Sequence, residues 1–271
     1  MQKTWLITGC SSGFGREIAL AALAAGDQVL AGARKPGVLA ELRGGNLETA
    51  ALDVTEPGAA ERAVAAAIDT FGRLDVVVNN AGFAIVGAVE ETTEDELRHT
   101  MEVMFFGAAA VTKAAVPILR EQGHGTIVQI SSMGGQLAFA GVGAYCAAKF
   151  ALEGYSEALA AELEPHGVRV LIVEPGAFRT GLNGGRMIVS APLDAYRDTA
   201  GATRANLVND DGVQPGDPAR AARIIVDLVH SDDAPLRLPL GRDAVDALRA
   251  HQSRLAADLA EWEHVSVATS Y

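Results

Sequence analysis

The sequence predicts a doubly wound α/β fold, with helices covering both faces of a parallel seven-stranded sheet. Three observations predict it. Short apolar runs alternate with helical patterns along all 271 residues, as in consecutive βαβ units. Leu74–Asn79 is a near-continuous apolar run, the pattern of a strand buried on both faces. A glycine-rich turn spaced G-x-x-x-G-x-G joins the first strand to the first helix.

The elements follow in order. Thr4–Thr8 is the first strand, and the next helix runs from about Phe14 to Ala25, stopped by Gly26. Gln28–Ala33 is the second strand, and the third ends at Leu52-Asp53-Val54. Thr55 and Pro57 open a helix that stops at Gly72. After the Leu74–Asn79 strand, Thr93 and Glu96 match a capping box for a helix reaching about Gln122, with strain expected at Pro117. Gly125–Ser131 and Val168–Glu174 are strands flanking a helix over Val142–Glu164. From Gly181 to Gln214 the pattern dissolves into Gly, Asn, Pro and mixed polar residues. Asp217-Pro218 caps a helix to about His230, Leu236–Leu240 is the last strand, and Asp243–Trp262 the last helix. No repeat or linker divides the chain, so one domain over 1–271 is expected.

Composition narrows the function classes. Acidic residues number 34 against 22 basic, a net charge of −12, which disfavours a nucleic-acid backbone or an anionic membrane surface as partner. No uninterrupted apolar run approaches the roughly 18 residues of a membrane span, and the first residues lack a leader pattern. The two cysteines, Cys10 and Cys146, form no CxxC pair and read as free thiols in a reducing, cytoplasmic compartment. The six histidines are scattered, and no metal is expected.

The turn Thr8-Gly9-Cys10-Ser11-Ser12-Gly13-Phe14-Gly15 is suited to an anion. Glycines permit a tight turn and close backbone approach, and the helix N-terminus presents free N–H groups to a pyrophosphate. Its spacing resembles that of the short-chain dehydrogenase/reductase family, in the shorter single-domain branch with a Rossmann fold. The likeness extends over nearly the whole chain. It implies dinucleotide contacts from Gly9, Gly13, Phe14 and Gly15, with Ser11 and Ser12 helping to bind phosphate.

The choice of dinucleotide turns on the end of strand two. An NAD-preferring enzyme of this fold carries an acid there for the ribose 2′-hydroxyl. Here Ala33 occupies that position and Arg34 follows, a cation that would pair with a 2′-phosphate, so NADP(H) is favoured over NAD(H). Asp53, with Val54 beside it, resembles the family residue at the adenine, and Asn79-Asn80-Ala81-Gly82 matches the family motif along the cofactor.

Tyr145-Cys146-Ala147-Ala148-Lys149 matches the motif YxxxK. Residues i and i+4 share a helix face. A carbonyl receiving hydride needs a proton donor, and an alcohol losing hydride needs a base. A nearby ammonium would lower a phenol's pKa toward the useful range. Ser132, in Ile130-Ser131-Ser132-Met133-Gly134-Gly135, stands at the family's spacing before the tyrosine and would stabilise charge on the substrate oxygen; Ser131 is the alternative. Glu174-Pro175-Gly176-Ala177-Phe178-Arg179-Thr180 matches PGxxxT, which implies that Pro175, Gly176, Phe178 and Thr180 hold the nicotinamide. One position departs: Met104 stands where the family usually has asparagine, which implies an altered proton relay.

The resemblance implies a hydride-transferring oxidoreductase acting on a carbonyl or secondary alcohol, with a triad of Ser132, Tyr145 and Lys149, active as a homodimer or homotetramer. The stretch Gly141–Gly154 is similar to hydroxysteroid and retinoid dehydrogenases, which points to a large apolar substrate under a lid at about 181–215. Met104 keeps open a non-catalytic dinucleotide sensor on the same fold. A nucleotide-sugar epimerase is disfavoured by the glycine spacing and the short part after Pro175.

Overall fold

Strand β1 (Thr4–Ile7) is buried along its whole length, and its side chains alternate between two cores. Trp5 and Ile7 enter one and Leu6 the other, because successive strand residues point to opposite faces. The structure, a computed structural model, describes residues 1–42, 45–184 and 187–269.

The chain continues through α1 (Gly13–Ala24), β2 (Gln28–Ala33), β3 (Leu47–Ala51), α2 (Ala59–Phe71), β4 (Val76–Asn79) and β5 (Ile85–Val86). Next come α3 (Glu94–Met101), α4 (Gly107–Gln122), β6 (Gly125–Ile130), α5 (Gly143–Leu163), β7 (Val168–Pro175) and β8 (Ile188–Val189). The last elements are α6 (Ala200–Asn209), α7 (Pro218–His230), β9 (Arg237–Leu240) and α8 (Arg242–Val267). Seven strands form one sheet in the order β3-β2-β1-β4-β6-β7-β9, all pairs parallel. Helices α1 and α7 pack Ile18, Ala22, Ile225 and Val226 against Trp5, Val29 and Val76 on one face. Helices α2, α4 and α5 pack Val64, Val111 and Leu159 against Leu6, Val77 and Ile127 on the other. Each buried Val, Leu or Ile among them contributes about 1.5–3 kcal/mol on burial.

The strand order carries the functional geometry. The chain runs outward from β1 to β2 and β3, then returns to β4 on the other side of β1. The loops after β1 and β4 therefore part, leaving a crevice at the carboxyl ends of the strands.

Several boundaries differ from the sequence expectation. Strand β3 stops at Ala51 because Leu52 N donates the last bond to Ala33 O and Asp53 then closes a turn on Thr55. Helix α2 starts only at Ala59, since Gly58 adopts φ 75° ahead of it. The long helix has the expected capping box, with Glu96 N donating to Thr93 Oγ1 at 3.2 Å and Thr93 N to Glu96 Oε2 at 2.8 Å. Its irregularity lies not at Pro117 but in a π-helical turn, Glu102–Phe106, between α3 and α4. By length and mean hydropathy the composite helix Glu94–Gln122 could cross a membrane, although charged residues break its apolar run. Its alanine, valine, methionine and phenylalanine residues raise its hydropathy, and Ala108, Val111, Ala115 and Leu119 are buried in the protein. Between residues 181 and 214, read as patternless, the chain forms β8, which pairs with β5, and helix α6; residues 185 and 186 lie outside the described part. Helix α8 runs five residues past Trp262.

Candidate active site

The turn between β1 and α1 is shaped by two glycines, Gly9 and Gly13, at φ 72° and 57°, values that L side chains rarely adopt. Asn80 at the end of β4 ties the turn down: its Nδ2 donates to Thr8 O at 2.9 Å and Gly9 O at 3.2 Å. The Thr8 hydroxyl accepts from the amides of Asn80 and Ala81 at 2.9 and 3.0 Å. Asn79 faces the other way, donating to Thr112 Oγ1 at 2.8 Å and Gln129 Oε1 at 3.0 Å, so it braces β4 against β6 and α4. The adjacent asparagines thus divide the work, one toward the crevice and one into the sheet. Cys10 is buried and free, and burial pushes its thiol up to about 12.

At the ends of β2 and β3, Arg34 is exposed and stands near Asp53. Burial opposes ionisation of Asp53, but hydrogen bonds from the Thr55 hydroxyl and amide, with Arg34 and His99 nearby, outweigh it and hold the carboxyl below its usual range. Beyond β7, Phe178 tilts against Phe14 with ring centroids 5.1 Å apart, and Thr180 stands over Gly13. Asp243 at the start of α8 accepts from Ala177 N at 2.7 Å, which fixes the Pro175-Gly176-Ala177 turn.

Helix α5 and the loop after β6 bring the hydroxyl, phenol and ammonium groups together. Ser132 Oγ accepts from Gly134 N at 3.0 Å, lies 3.4 Å from Pro175 O, and hydrogen-bonds Tyr145. Lys149 donates from Nζ to Ile130 O at 2.7 Å and sits 5.7 Å from the centre of the Tyr145 ring. Burial pushes the Tyr145 phenol up to about 12 against the Ser132 hydrogen bond. Burial likewise pulls Lys149 down to about 8, with Glu153 opposing. The sequence argument expected the ammonium to lower the phenol. In the protein alone desolvation wins, because Lys149 is spent on the Ile130 carbonyl. Ser131, the alternative serine, is buried below with its hydroxyl unpartnered, outside this contact.

Every residue the sequence assigned to the site lines one cavity of about 740 Å³, except Gly15, which lies beneath the turn against Gly9 and Asn80. Met104 also lines it, in the π-helical turn. The lining includes Arg34, the glycine turn and Tyr145, so one cavity connects the ends of β2 and β1 with the phenol on α5. The residues fit an anionic group: a Cβ at Gly9 would crowd Ala81 Cα at 3.0 Å and one at Gly13 would crowd Thr180 at 3.1 Å, so only glycines keep the turn clear for it.

Residues 3–187 match the family description of short chain dehydrogenases. The chain belongs to the short-chain dehydrogenase family. It is 38% identical over its full length, and over the full length of the relative, to Oxidoreductase BOA17 of Botryotinia fuckeliana. It is 36% identical to a 3-ketodihydrosphingosine reductase of Bacteroides thetaiotaomicron, over 87% of each chain. A short-chain dehydrogenase crystal structure from Streptomyces avermitilis superposes with a TM-score of 0.94 at 50% identity, covering all of both chains. The short-chain dehydrogenase fold and an oxidoreductase activity with a nicotinamide dinucleotide follow from this membership.

Sequence reasoning missed several residues around the site. Glu153 and Glu174 are buried behind it, Gln136 bonds Glu174, and Asp243 fixes the turn after β7. Only Glu153 carried a local signal, since it lies four residues after Lys149 on the same helix face.

Proposed function

We propose that this protein transfers hydride between NADP(H) and a carbonyl or secondary alcohol, with Tyr145 as the acid/base. The observation that carries the reading is the meeting of Ser132, Tyr145 and Lys149 in the same cavity as the glycine turn.

The dinucleotide, when bound, supplies or accepts the hydride. The chain's own residues do the rest. Gly9, Ser11, Ser12 and Gly13 would hold the pyrophosphate at the N-terminus of α1; Phe14, Asn80, Ala81, Gly82 and Val54 shape the walls, and Gly15 supports the turn from beneath. Arg34 pairs with a 2′-phosphate and supports NADP(H) over NAD(H); Asp53 is the adenine-side acceptor. Pro175, Gly176, Phe178 and Thr180 would hold the nicotinamide. Ser132 donates to the substrate oxygen. Tyr145 gives that oxygen its proton during reduction, and the phenol at neutral pH is in the protonated form this requires. Lys149, one turn further along α5, would bind the ribose and help return a proton to the phenol.

Residues 181–215 serve as the lid. The buried Glu91 anchors them, accepting from Leu193 N at 2.7 Å and Arg204 Nη2 at 2.9 Å. Ile85, Phe139, Val142, Leu182 and Leu207 line the substrate end, which supports a large apolar ketone or alcohol. The relative named 3-ketodihydrosphingosine reductase points the same way. Two free, buried cysteines suit a cytoplasmic setting, and a homodimer or homotetramer is the assembly we infer.

The test is NADPH consumption with a panel of ketones, aldehydes and quinones, repeated with Tyr145→Phe. Removing the proton donor is expected to slow turnover about 10²–10⁴-fold. Undiminished turnover would exclude Tyr145 as the acid.

A further inference from the structure

Behind the cavity lie two buried carboxyl groups for which the proposed reaction has no use. Glu153 lies on α5, one turn past Lys149, and is 4% exposed. Glu174 lies on β7, directly before Pro175-Gly176, and is 0% exposed. The charged and polar groups around them come from four places: the loop after β6, α5, β9 and α8. The Gln136 side-chain amide, after β6, donates to Glu174 Oε1. Arg237 on β9 stands 3.1 Å from Glu153 Oε2, 3.6 Å from Glu174 Oε1 and 2.7 Å from Glu157 Oε2, the last on a largely exposed side chain. Lys149 lies on the cavity side of Glu153, and Asp243 of α8 faces the adjoining turn at Gly176.

Two oxygens remain unpartnered in this network, Glu153 Oε1 and Glu174 Oε2. The two carboxyl groups are within hydrogen-bonding reach of one another. Ionised carboxylates hold no proton to donate, so neither could satisfy the other; a single proton between them satisfies both. The loop after β6 closes over the pair. A Cβ at Gly135 would stand 2.5 Å from Ser131 Oγ and 3.1 Å from Glu153 Oε1.

We propose that Glu153 and Glu174 share one proton, and that this proton latches together the three segments carrying Ser132, Tyr145 with Lys149, and Pro175-Gly176. Both are positioning residues; neither touches substrate. With the proton in place the pair carries one negative charge against Arg237. Without it, two buried anions meet a single guanidinium, and the three segments lose their common tie.

The latch is sensitive to pH. Burial, with Glu153 adding to it, pushes Glu174 up to about 7 from the usual 4.5. A carboxyl raised on folding contributes stability that is complete below its unfolded value and is lost as pH rises through the folded one, here between about 4.5 and 7.

Melting temperature is measured from pH 5 to pH 8.5 for wild type, Glu174→Gln and Glu174→Ala, with Glu153→Gln as a second amide variant. Glutamine keeps a donor and does not titrate. The wild type is expected to lose roughly 5 °C more than either glutamine variant across that range. Alanine, which leaves Glu153 unsatisfied, is expected to melt lowest at every pH. The kcat for NADPH-dependent reduction is expected to fall at least threefold more steeply in wild type than in Glu174→Gln, with KM little changed. Parallel melting curves for wild type and Glu174→Gln would overturn the shared proton, as would equal damage from glutamine and alanine. Only the kinetic arm rests on the reaction proposed above. Diverging melting curves with no ketone reduced would sink that reaction and leave the latch standing.

Discussion

Gly15 offers a quantitative test of the dinucleotide cradle. It is the first buried residue of α1, packed beneath the turn. A Cβ there would stand 2.6 Å from Gly9 O and 2.5 Å from Asn80 Nδ2. Ordinary contacts of this kind begin near 3.4 Å, so in Gly15→Ala the Gly9 carbonyl must retreat by about 0.8 Å. That atom is backbone and is held by Asn80, so it cannot swing aside as a side-chain end would. Overpacking of this kind costs about 1–3 kcal/mol. Alanine's helix propensity returns up to about 1 kcal/mol, so the clash wins. The strain falls on the peptide groups proposed to face the pyrophosphate. NADPH affinity measured by calorimetry is therefore expected to fall roughly 10-fold or more. Gly37→Ala is the control: nothing lies within 4 Å of its added methyl and its φ is not positive. A dissociation constant for Gly15→Ala within twofold of wild type would refute the reasoning, since the turn would then be slack or not the anion site.

Two further outcomes are expected. Arg34→Ala should weaken NADPH binding about 10-fold through loss of a charge-assisted pair, and leave NADH unchanged; an equal loss for both dinucleotides would remove the argument for NADP preference. Asp27 is buried and accepts from Lys3 N and Trp5 Nε1, both at 2.8 Å, and pairs with His230 Nε2 at 2.7 Å. Asp27→Ala should cost about 2–4 kcal/mol in a urea unfolding experiment, because it orphans donors on β1 and α7 together. A loss under about 0.5 kcal/mol would mean the network adds little.

Much of the site was legible before the fold. The glycine turn, the Tyr145–Lys149 pair and the Thr93 capping box are all local patterns. Their meaning rests on the 3.6-residue helix, the reach of one turn and the steric freedom of glycine. The buried strands were equally legible, because a strand covered on both faces must be apolar throughout. Less local features were not. The segment after β7 looked patternless because its order comes from elsewhere: Arg204 bonds Glu91, 113 residues away in the chain, and Ile188 pairs with Ile85.

The sequence by itself determined the strands of the main sheet and most of the helices around it, that they alternate into a parallel sheet, and which side chains could meet at one end of it. Only the tertiary structure decided the electrostatics of that meeting. The phenol of Tyr145 holds its proton more tightly than a solvated one because packing removes water from it, and Glu153 faces Glu174 because α5 lies across β7. Desolvation and pairing depend on what surrounds a group in three dimensions, and no spacing along the chain encodes that.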